Sequence, residues 1–117
     1  MMIIERLVPD GVWDLFQRVV PEAPVRPQGG GRRRRGDREV LAAIVFVATF
    51  GCTWRQVPPV FGASGITAYR RFTEWSAAGV WAKLHRLVLE ELGTGTGSDW
   101  SRFAVDSVAA RALSGGS

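Results

Sequence analysis

The sequence predicts a mainly α-helical protein, a helical bundle that contains a helix-turn-helix and is followed by one short strand. Three observations lead there. An apolar run, Val40 to Phe50, broken only by Thr49, lies between Asp37 and Gly51 and is long enough for about three helical turns. Thr53-Trp54-Arg55-Gln56 has the spacing of a capping box, in which hydroxyl and amide side chains satisfy free backbone donors at a helix start. After Pro58, Pro59 and the Gly62 to Gly65 turn, Ala68, Tyr69, Phe72 and Trp75 recur at helical spacing.

In chain order, Asp10 is the expected cap of a first helix whose Val12, Leu15, Phe16, Val19 and Val20 share one face, closed by Pro21. Pro24 and Pro27, Gly29 to Gly31 and Arg32 to Arg35 then read as a basic linker. Asp37 should cap the central helix, which is apolar on most of its circumference and so is expected to be buried, with Gly51 as its stop. The helix-turn-helix is expected over about 53–78. Val80, Trp81, Leu84, Leu87 and Val88 make one more amphipathic face. The domain is expected to span 1–92, with 93–99 as a second linker and Trp100 to Val105 as a strand opening a further unit over 100–117.

The helix that follows the turn carries the functional signal. Thr67, Arg70, Arg71 and Glu74 fall on the face opposite its apolar stripe, which suits a recognition helix lying in the major groove, with Arg55 at the preceding capped turn as a further contact. A solvated surface helix would show the same pattern. The charge distribution favours a polyanionic partner. Net charge is +4, and Arg26, Arg32 to Arg35 and Arg38 concentrate it ahead of the central helix. All basic residues but Lys83 are arginine, whose planar fork matches phosphate. Arg32, Arg33, Arg34 and Arg35 are therefore candidate phosphate contacts, either along the backbone or in the minor groove.

Composition also excludes. Cys52 alone makes neither a disulfide framework nor a metal-ligand set, and His85 has no second histidine nearby. No signal peptide is visible, and the longest apolar run is about half a membrane span, so a cytoplasmic, nucleoid-associated protein with no membrane partner is expected.

Leu7-Val8-Pro9-Asp10 with Trp13, the Gly/Arg-rich stretch before Asp37-Arg38, Gly51 to Pro58, Phe61-Gly62 and Arg70-Arg71-Phe72 with Trp75 form an ordered series. Ala78-Gly79-Val80-Trp81, Leu84-His85, Asp99-Trp100-Ser101 and Val105-Asp106-Ser107 continue it. The series resembles the N-terminal part of bacterial insertion-sequence transposases of the type-five family. That resemblance implies a helical domain binding double-stranded DNA at the element's ends, then a ribonuclease H-like α/β domain with an Asp-Asp-Glu set holding Mg²⁺ or Mn²⁺. Asp106 matches the first of these carboxylates. Two-metal phosphoryl transfer needs several convergent carboxylates, so with Asp106 alone no tight metal binding and no independent cleavage are expected. A chain truncated after the first carboxylate is the expectation, with a second polypeptide carrying the rest of the catalytic domain as one expected partner and a further copy of the chain, in a homo-oligomer, as another. The competing readings are a free-standing helix-turn-helix transcriptional regulator and a protein-interaction bundle, and the expected strand ending in Asp106 speaks for the transposase.

Overall fold

The computed structural model describes residues 3–21, 36–92 and 96–114. Six α-helices lie in these stretches: α1 (Ile3–Leu7), α2 (Asp10–Val19), α3 (Asp37–Phe50), α4 (Gly65–Ala77), α5 (Val80–Leu87) and α6 (Thr96–Leu113). The connection from α3 to α4 holds two short 3-10 turns, Trp54–Gln56 and Pro59–Phe61. A π-helical turn, Val88–Leu92, extends α5.

Helix α3 is the hub of the bundle. Val40, Leu41, Ala42, Ala43, Ile44, Val45 and Val47 are all buried, as a helix apolar all round requires. Its different sides receive α1, α4 and α6. Gly51, at φ 67°, ends it by turning the chain into the left-handed region, and its N–H donates to Val47 O at 2.9 Å. At its start no side chain caps it. Instead the Arg38 guanidinium donates to Val8 O and to Asp10 Oδ1, at 2.7 and 2.8 Å from Nη2. Asp10 is thus spent on holding α3 to the start of α2 and caps nothing.

Helix α2 buries Val12, Leu15 and Phe16, the stripe its spacing requires, and packs on α5. Phe16 meets Trp75 of α4 edge-on at 4.9 Å and lies 6.4 Å from Trp81 of α5. Phe72 and Trp54 continue this aromatic layer. The tail of α2 is tied to the π turn by Arg18, whose two terminal nitrogens reach the Glu91 carboxylate at 2.9 and 2.7 Å. That hydrogen bond holds the Glu91 carboxyl below its ordinary range, with partial desolvation acting the other way.

The expectations for residues 96–105 need correction. The segment Trp100 to Val105 is helix, not strand: it belongs to α6, and no strand occurs among the described residues. The physical reason is its burial pattern. Ser101, Ala104, Val105 and Val108, at i, i+3, i+4 and i+7, are the residues α6 buries against α3 and α5. Residues 96–99, expected as linker, form the first turn of the same helix, whereas 93–95 lie outside the described residues. The Trp100 indole N–H donates to Leu7 O at 3.1 Å, so α6 shares the core of the preceding helices.

The short helix expected at Trp54, which Pro58 and Pro59 limit to one or two turns, is present as a single turn of 3-10 type. The capping box forms, with Thr53 N–H donating to Gln56 Oε1 at 2.8 Å, but it caps only one 3-10 turn. Pro58 forces Val57 into extended backbone, at φ −63° and ψ 119°, and Pro59 does the same to Pro58.

Candidate nucleic-acid interface

The face that could meet a polyanion is built on α4. Ser64 caps the helix, its Oγ accepting from Thr67 N–H at 3.1 Å. Gly65, the first helical residue, abuts the preceding turn so closely that a Cβ there would stand 1.8 Å from Trp54 O. Only glycine permits this approach. Ala68, Phe72 and Trp75 are buried and fix the rotation of the helix. Tyr69, expected in the core, is 41% exposed at the edge of the stripe and leans edge-on against Trp54 at 5.6 Å.

With about 100° between successive residues, this anchoring decides what faces outward. Arg70 is exposed near the middle of the free arc, and Arg71 is half-buried on its flank. Neither arginine forms an ion pair among the described residues. Thr67 is half-buried, with its N–H and hydroxyl engaged by Ser64. Arg55 is exposed on the 3-10 turn that Gly65 abuts. The structure therefore brings Arg55 and the start of α4 together, with Arg70 and Arg71 along the same helix. To these it adds Ile66, 68% exposed and one turn before Arg70. As an apolar residue it gave no sequence signal for an outward position. Arg32, Arg33, Arg34 and Arg35 lie outside the described residues.

Support for the turn beneath α4 comes from α6. Arg111 lies over the Trp54 ring at 5.4 Å and donates to Cys52 O at 3.3 Å.

Asp106 lies elsewhere. It is on α6, not at a strand end, with its side chain 59% exposed and its Oδ1 2.7 Å from His85 Nε2 on α5. No group of three or more His, Cys, Asp or Glu residues that could hold a metal ion occurs among the described residues. The residues around Asp106 therefore do not fit a Mg²⁺ or Mn²⁺ pair, which needs several convergent oxygen ligands.

Comparison with known proteins bears on what such a bundle belongs to. The family described as "Putative transposase of IS4/5 family" matches residues 8–85, from the start of the bundle to His85 on α5. The chain belongs to this IS4/5 transposase family. A relative from Burkholderia cepacia, the insertion element IS402 uncharacterized 16.2 kDa protein, is 39% identical over 112 residues, covering 94% of this chain and 76% of its own. No solved structure matches the chain. For this IS4/5-family protein, no helix among the described residues is long and apolar enough to cross a membrane.

Proposed function

We propose that the bundle of this transposase-family protein binds duplex DNA at insertion-element ends, with α4 directed into the major groove. The observation that carries the reading is the outward face of α4, where Arg70 and Arg71 have no acidic partner among the described residues while three core residues lock the helix beneath them. An unpaired guanidinium on a rigid helix keeps its donors for phosphate or a base edge. In this reading 53–78 acts as a helix-turn-helix whose first helix is shortened to one turn, Arg55 and Thr67 sit beside the backbone, and Arg32 to Arg35 add sequence-independent phosphate contacts. Family membership supports DNA as the partner class and disfavours a free-standing regulator.

The test is binding of the chain to labelled duplex across a salt series. If about four phosphates are neutralised, log affinity should fall with log salt at a slope near −3.6, or roughly 100-fold between 50 and 200 mM. Replacing Arg32 to Arg35 by glutamine should flatten the slope. Affinity that does not respond to salt would sink the proposal.

A catalytic role for Asp106 has weaker support, since its carboxylate is paired with His85 and belongs to no group of three or more metal-ligating side chains among the described residues. With Mg²⁺ or Mn²⁺ and element-end DNA, this chain alone is expected to give no nicking, and Asp106→Asn is expected to leave DNA affinity within about twofold, because an exposed pair of this kind contributes little. Reproducible nicking that disappears in Asp106→Asn would overturn this expectation.

A further inference from the structure

Most large apolar side chains on α4 are buried or lean on the core, but Ile66 is not. It is 68% exposed, more than Tyr69 on the same helix, and it occupies the second helical position. Gly65 beside it cannot carry a side chain against Trp54 O, and Thr67 is drawn back by the Ser64 cap. Ile66 is therefore the side chain that projects at the leading end of α4. Arg70 and Thr73 follow at i+4 and i+7, so the three form one outward stripe. Left in water, a β-branched apolar side chain at a helix start adds nothing to folding and little to helix propensity.

An apolar group flanked by unpaired arginines matches one surface in particular. In the major groove the thymine C5-methyl is the apolar feature of the base edges, next to acceptors that arginine reads and between rows of phosphates. The first residues of a recognition helix are those that reach base edges. A protein partner would also cover Ile66, but the exposed cations before and after it, Arg55 on the preceding turn and Arg70 one helical turn on, favour a polyanion.

Resting on the DNA-binding reading above, we propose that Ile66 is a specificity-determining residue that contacts a thymine methyl in the major groove, beside a base or phosphate held by Arg70. Ile66 sets preference for the thymine methyl, while Arg70 beside it contributes affinity and its own base selectivity. The contact excludes water from one methyl and part of the isoleucine side chain and involves no hydrogen bond, so its signature is a dependence on the methyl itself.

The test selects preferred duplexes from a random pool with the full chain, then replaces each thymine of the site by deoxyuridine, which removes only the methyl. Wild type should lose about fourfold at one or two positions, the equivalent of ~0.8 kcal/mol for one buried methyl-sized group. Ile66→Ala should bind the thymine and uracil duplexes equally while still depending on Arg70, and Ile66→Val should retain most of the difference. Phe103→Ala, which removes another exposed apolar side chain on α6, should change nothing. Equal thymine sensitivity in wild type and Ile66→Ala, or no thymine sensitivity in either, overturns the proposal while leaving DNA binding intact. So does a change of oligomeric state in Ile66→Ala with unaltered thymine preference, which would assign the residue to a protein interface. If the chain selects no duplex at all, the DNA-binding reading fails and this inference with it.

Discussion

The double variant Arg70→Ala, Arg71→Ala is expected to bind the preferred duplex some 5- to 150-fold more weakly than wild type. One well-placed guanidinium contact with a base contributes about 1–3 kcal/mol of discrimination, and loss of a phosphate contact lowers the salt slope by about 0.9. The two positions should separate. Arg70 is exposed near the centre of the arc and should govern selectivity, whereas Arg71, half-buried and 100° away, should act on all sequences alike. Competition binding with preferred and scrambled duplexes at two salt concentrations distinguishes these effects. Unchanged affinity and selectivity in the double variant would remove α4 from the interface.

A second large effect is expected in the core. Trp75 is 1% exposed and meets Phe16 at 4.9 Å and Trp81 at 6.1 Å, so it joins α2, α4 and α5 in one layer. Trp75→Ala should cost about 3–5 kcal/mol, through lost burial and a cavity that rigid neighbours cannot close. For a chain of this length that lowers Tm by roughly 10–25 °C. Urea melts followed by circular dichroism give the value. A cost under about 1 kcal/mol would mean that α4 is not held by this residue, and the rotation that points Arg70 outward would lose its basis.

How legible the fold was in the sequence depended on how far each pattern ran. The central helix could be read because Val40 to Phe50 is apolar at every position but Thr49 and bounded by a polar start and Gly51. The face of α2 could be read because five residues kept one period. The segment from Trp100 misled because a window ending at Asp106 is too short to separate a period of 2 from one of 3.6, and Val108 lies beyond it. The turn at Trp54 was legible in both its start and its shortness. A capping box states where a helix starts, whereas its length was decided by Pro58 acting on Val57. Within the candidate interface, periodicity identified Arg70 as outward-facing; the same spacing puts Ile66, four residues earlier, on that face, but its apolar character argued for the core.

The hydrogen bond from the Trp100 indole to Leu7 O spans 93 positions of sequence, and α6 packs on α3 and α5. On a ribosome, α3 therefore emerges well before its last partner. At about 5–20 residues per second, the interval from Phe50 to Trp100 is roughly 3–10 s, far longer than a helix needs to form. During that time the part of the α3 surface that α6 goes on to cover is open to chaperones or to other nascent chains. The yield of this protein in a cell should therefore depend on translation speed downstream of α3 as well as on the stability of the finished bundle.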